Sequence, residues 1–126
     1  MLKINGTAIL LTRGDRCTIS LKVNPKENEN YILNPDDIVS FAIYNKKELD
    51  KEPLLLKETT ILEATNNVDI CLTSDDTQIG ELANKPIDYW YEIQLNYEQT
   101  LIGYDDAGPK ILTLYPEGSD LRWIQT

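Results

Sequence analysis

Tyr89-Trp90-Tyr91-Glu92-Ile93-Gln94-Leu95 is the stretch that decides the fold. Large apolar residues hold its odd positions and Trp90, Glu92 and Gln94 its even ones, which is the period-two pattern of a strand with one face in a core. Aromatic and β-branched side chains suit such a pleated, half-buried surface. The stretch therefore reads as a central strand. Tyr89, Tyr91, Ile93 and Leu95 are expected in the core, and Trp90 on the opposite face.

The flanking sequence supplies partners for it. Arg16 to Val23 alternates as cleanly, with Cys17, Ile19, Leu21 and Val23 on one side. Ile38 to Tyr44 places Val39, Phe41 and Ile43 on one face and is expected to pair beside the Tyr89 strand. Leu2 to Leu11 reads as a strand with a bulge or kink at Gly6. Leu54 to Ala64 reads as an edge region, either one kinked strand or two short ones. Val68, Ile70 and Leu72 mark a further strand after a hairpin turn at Asn66-Asn67, because asparagine tolerates the left-handed backbone of tight hairpins. Tyr97 to Tyr104 is expected to be the hairpin partner of the Tyr89 strand. Asp105 to Pro109 is a turn by composition, and Lys110 to Tyr115 is the last strand.

Two segments break the strand pattern. Ser74 to Leu82 reads as a short capped helical turn, with Asp75 as N-cap and Gln78 three residues on in a capping-box arrangement. Residues 119–126 read as a short helix or a tail that packs Trp123 on a neighbour. Seven to nine short strands, clean alternation and no helical crossovers point to an all-β protein. The expected fold is an antiparallel, immunoglobulin-like β-sandwich with one short helical turn. The 126 residues suffice for one core, so residues 1–126 are read as a single domain.

Composition excludes several functions. Histidine is absent, which removes the commonest general base, the commonest metal ligand and the usual partner of a serine or cysteine nucleophile. A formal net charge of −9 repels nucleic-acid phosphates and anionic membrane surfaces, so neither is an expected partner. Cys17 and Cys71, the two cysteines, form no C-x-x-C motif and have opposite parity relative to their apolar neighbours, so two free thiols are expected rather than a disulfide. No basic n-region with a long apolar core opens the chain, so no signal peptide is expected.

The remaining candidates have simpler readings. Asp36-Asp37, Asp75-Asp76 and Asp105-Asp106 could supply paired carboxylates, but each falls where a turn or cap favours aspartate. None fits a calcium loop. Arg13-Gly14-Asp15 matches an adhesive triplet, yet glycine and aspartate between two strands are also what a tight connection needs. The sequence thus offers no catalytic residue, no metal site and no cofactor. Among the aromatics, Trp90, Trp123 and Tyr104 are the candidate interface residues, since large aromatics anchor protein interfaces. An outward group around Trp90 could instead form a glycan-stacking platform, which makes a glycan-binding or adhesive sandwich the alternative function.

Five segments taken in order resemble the N-terminal module of phage baseplate upper proteins and related tail proteins of phages and prophages of Gram-positive bacteria. They are Arg13-Gly-Asp-x-Cys-Thr-Ile-Ser-Leu-Lys-Val23, Asn34-Pro-Asp-Asp-Ile-Val-Ser-Phe-Ala-Ile-Tyr44, Val68-Asp-Ile-Cys-Leu-Thr73, the Tyr89 strand, and Ile111-Leu-Thr-Leu-Tyr-Pro-Glu-Gly118. The sequence departs from that family at Leu33-Asn-Pro-Asp-Asp37, where its members usually read Leu-Thr-Gly-Ala. The resemblance implies a β-sandwich without enzymatic activity, made in the bacterial cytoplasm and built into a virion. Its implied partners are other virion proteins or further copies of itself.

Overall fold

The computed structural model describes residues 1–22, 32–82 and 84–116. Nine strands follow one another: β1 (Leu2–Asn5), β2 (Ala8–Thr12), β3 (Cys17–Lys22), β4 (Ile38–Tyr44), β5 (Leu55–Thr60), β6 (Asn67–Leu72), β7 (Ile87–Leu95), β8 (Gln99–Ile102) and β9 (Lys110–Tyr115). Seven of them form one sheet in the order β1-β2-β9-β7-β4-β5, with β8 also on β7. The other two, β3 and β6, form a separate antiparallel pair. All pairings are antiparallel except β2 with β9. The architecture is an all-β sandwich of unequal layers. Immunoglobulin-like identity is a matter of strand order, and seven strands against two does not establish it.

Strand β7 is central because both its edges are taken. Strand β4 pairs with residues 90–95 along one edge, while β9 covers residues 87–91 and β8 residues 93–95 along the other. Its odd residues Tyr89, Tyr91, Ile93 and Leu95 are buried, as the alternation predicts. They meet Ile9 and Leu11 of β2, Val39, Phe41 and Ile43 of β4, and Leu112 and Leu114 of β9 in one apolar cluster. Strands β3 and β6 roof that cluster with Ile19, Val68, Ile70 and Leu72. The two rings Phe41 and Tyr91 lie with centroids 5.6 Å apart.

Turns follow local chemistry, not always as the sequence suggests. Asn96 and Tyr97 both have positive φ, and Glu98 N–H donates to Leu95 C=O at 3.0 Å, giving the primed two-residue turn that suits the twist of β7 and β8. At Asn34-Pro35-Asp36, proline precedes a residue of φ 74°, and Asp37 N–H donates back to Asn34 C=O at 3.1 Å, a type II turn. Asn96 ties these two turns together. Its N–H donates to Ile38 C=O at 2.7 Å, its Oδ1 accepts from Ile38 N–H at 2.8 Å, and its Nδ2 donates to Asp37 Oδ1 at 3.0 Å.

Three expectations are corrected. Leu2 to Leu11 is a hairpin, not one strand. Gly6, at φ 65°, opens a two-residue turn between Asn5 and Ala8, which glycine enters without a steric cost. Asn66-Asn67 is not a hairpin turn, because β5 and β6 belong to different sheets and Asn67 already begins β6. The segment after β6 is a hydrogen-bonded turn at 74–77, and no helix occurs among the described residues. Its cap is Thr73 rather than Asp75. Asp76 N–H donates to Thr73 Oγ1 at 3.2 Å, and Thr73 N–H donates to Asp76 Oδ2 at 2.9 Å, so the reciprocal box lies two residues earlier than the sequence suggests. The expected helix or tail at 119–126, with Trp123, lies outside the described residues, as do Val23 and the polar run 24–30.

Two predictions follow from these ties. Asn96→Ala removes two side-chain hydrogen bonds and places in the left-handed region a residue that tolerates it less well than asparagine. It is expected to cost about 2–3 kcal/mol in urea unfolding with an unchanged m-value, whereas Asn96→Gly, which keeps the backbone geometry, costs less. Tyr91 donates its hydroxyl to Thr7 C=O at 2.5 Å, and burial pushes its phenol from 10.0 up to about 12. The folded state thus holds the neutral phenol, so its stabilisation is complete below about pH 10 and is lost as pH rises toward about 12. Thermal unfolding across that window should show a steep fall that Tyr91→Phe flattens.

Candidate functional site

The outer face of β7 carries the residues that the core leaves over. Trp90 stands opposite Tyr44 of β4 on one side and Ile111 of β9 on the other. It is half-buried. The segment after β8 bends back so that Tyr104 meets the indole edge-on, with ring centroids 5.8 Å apart and planes at 62°. Tyr104 itself is 61% exposed. The indole Nε1 is shielded from solvent and has no acceptor among the described residues. Beside it, Tyr44 donates its hydroxyl to Glu92 Oε1 at 3.1 Å; burial first, and then this carboxylate, hold the phenol above its ordinary range.

Two of the three candidate interface residues are therefore together, with Tyr104 lying over Trp90. The indole is partly covered by its own chain, so the pair presents one open tyrosine ring rather than a flat double platform. Trp123 lies outside the described residues and cannot be placed on this face.

The Arg13-Gly14-Asp15 triplet forms the tight link between β2 and β3. Arg13 N–H donates to Tyr115 C=O at 2.9 Å, Asp15 N–H donates to Thr12 C=O at 3.1 Å, and Gly14 has φ 86°. The 74–77 turn docks on it. Thr77, 3% exposed, donates its hydroxyl to Asp15 C=O at 2.9 Å, and Arg13 Nη2 donates to Gln78 C=O at 3.3 Å. The Asp15 carboxylate pairs with the Met1 amino group. Both charged members of the triplet are thus engaged internally, which favours the connecting role.

Each aspartate pair also sits in a turn with named partners. Asp37 accepts from Asn96 Nδ2 and from Asn34 N–H, and these bonds lower its pKa. Burial alone would raise Asp76, but the bonds from Lys57 Nζ at 2.8 Å and from Thr73 outweigh it and hold the carboxyl below its usual range. Asp105 Oδ1 accepts from Ala107 N–H at 2.9 Å and from Lys110 Nζ at 2.8 Å. These carboxylates are committed to holding backbone turns and lysines. Cys17 and Cys71 are free and point to opposite sides of the β3–β6 pair, with burial pushing the Cys17 thiol up.

One open cleft of about 770 Å³ lies at the start of β7. Lys46, Glu48, Glu81, Lys85 and Asp88 rim it, and Tyr89 reaches its floor. Gly80, at φ 70°, caps the phenol so closely that a β-carbon there would lie 2.0 Å from the Tyr89 hydroxyl oxygen. The cleft lining carries both signs of charge. Exposed aliphatic side chains also stand at both ends of the large sheet. Ile4 on β1 and Leu56 on β5 are 49% and 46% exposed, and Leu54 and Leu62, flanking β5, are 36% and 83% exposed. Periodicity marks such residues as strand members but does not reveal which strands end a sheet.

Comparison with protein-family models, curated proteins and solved structures finds no match for this chain.

Gly80→Ala is expected to lower stability by roughly 2–4 kcal/mol, since both the backbone angle and the Tyr89 ring oppose a methyl group. Pairing it with Tyr89→Phe should recover part of that loss in a double-mutant cycle of unfolding free energies.

Proposed function

We propose that this protein is a non-enzymatic structural module of a phage or prophage virion, of the tail or baseplate, that works through protein–protein contacts. The observation that carries this reading is the presence of exposed aliphatic side chains at the sheet ends: Ile4 on β1, and Leu54, Leu56 and Leu62 on or beside β5. Exposed strand edges with apolar side chains are templates for pairing with another chain. The ordered resemblance of the five sequence segments supplies the virion context. A sequence without histidine, and carboxylates that hold turns, support an assembling rather than a reacting protein. The partners are other virion proteins or further copies of the chain.

Glycan binding is the weaker reading. It rests on Tyr104 alone as an open ring, because Tyr104 itself covers part of Trp90.

Light scattering of the purified protein, alone and mixed with phage tail and baseplate proteins, tests the proposal. Oligomers or a stoichiometric complex are expected, with affinity reduced about tenfold or more when Leu54 and Leu56 are both replaced by lysine. A strict monomer at high concentration that binds none of those proteins contradicts it.

A further inference from the structure

The two layers of the sandwich do not match in width, and the mismatch is localised. Among the described residues, strand β6 is bonded along one edge only, to β3, and β5 along one edge only, to β4. At the seam where β5 and β6 approach, no ladder joins them among the described residues. The roof also stops short there. Val39, Phe41 and Ile43 of β4 are at most 2% exposed, whereas the inward row of β5, Leu55, Lys57 and Thr59, is only half-buried.

A groove of about 560 Å³ opens at this seam. Thr59 and Thr60 line it from β5, Leu62 and Glu63 from the connection, and Asn67 and Asp69 from β6. The connection is fixed from behind. Ile61 N–H donates to Asp37 C=O at 2.8 Å, and Leu33 and Thr65 exchange two backbone bonds of 2.7 and 3.1 Å. The 61–65 wall of this shallow groove is thus tied to the rest of the fold.

We propose that this groove receives an extended, basic segment of a different protein, which adds to the free edge of β6 as a third strand of the small sheet. An unpaired strand edge offers a row of backbone donors and acceptors, and the chemistry that satisfies such a row is another extended backbone. A two-stranded sheet is also marginal alone, so a third strand completes a layer that lacks width. The occupant's charge follows from the lining, which contains Glu63 and Asp69 and no lysine or arginine. A second copy of this chain, at net charge −9, fits that groove poorly, which favours a different partner. Leu62, 83% exposed at the rim, offers an apolar contact to alternate side chains of the incoming strand.

This inference rests on the reading of the chain as an assembly module and names the part that meets its partner. The test uses a seven-residue peptide alternating valine with lysine and threonine, and the same peptide with glutamate for lysine, titrated into isotope-labelled protein. The expected result is saturable amide shifts at residues 59–69 and slowed hydrogen exchange on the outward edge of β6. The glutamate peptide should bind at least about fivefold more weakly. Leu62→Ser and Asp69→Lys, each verified as folded by its amide spectrum, should lose the lysine peptide. Absence of saturable shifts up to about 1 mM, shifts centred elsewhere, or equal binding of the two peptides overturns the proposal. If the protein assembles in light scattering but fails here, only the groove assignment falls. If the peptide binds but no assembly forms, the groove stands and the virion reading falls.

Discussion

The structure depends on β7 having no free edge. Residues 90–95 are bonded to β4 along one side, and residues 87–91 to β9 and 93–95 to β8 along the other, so every other strand of the large sheet takes its position directly or indirectly from β7. Its alternation then decides what is inside. Four of its odd side chains enter the core, and Tyr91 adds a polar anchor by donating its hydroxyl to Thr7 C=O across the sheet. A buried hydroxyl with its acceptor in place costs little, whereas the same group orphaned would cost about 1–3 kcal/mol.

The same arrangement sets where the molecule can act. With β7 enclosed, the unpaired backbone among the described residues lies at the ends of the large sheet and along the small one, where Ile4 of β1 and Leu54, Leu56 and Leu62 on or beside β5 are exposed. Clefts and carboxylates are less available. Asp37, Asp76 and Asp105 each hold a turn, and the cleft above Tyr89 is shaped by Gly80 for packing. A protein with such edges is suited to joining other proteins, which is the basis of the proposed role.

Much of the fold was legible because alternation is a local property. The core row of β7, its pairing with β4, the β8 hairpin and the opposed faces of Cys17 and Cys71 all follow from period two. What escaped is non-local or rests on unusual backbone. Tyr97 at φ 58° carries no sequence signal, since an aromatic residue is a poor guide to left-handed geometry. Gly6 marks a turn rather than a bulge because its neighbours pair with each other, which composition does not tell. The Thr73–Asp76 box was readable in principle as Thr-x-x-Asp, but Asp75 and Gln78 offered a competing box two residues on. The β5–β6 seam was invisible because strand order, not strand identity, creates it.

Hydrogen exchange of individual amides in the isolated protein tests this account most directly, because it reads which strand edges are bonded and how cooperatively. The account predicts that amides of β7 and β4 exchange only through global unfolding, while the outward amides of β5, β6 and β1 exchange faster by orders of magnitude. Outward amides of β6 and β5 as well protected as those of β7 would contradict it, since they would show that the sandwich has no open seam.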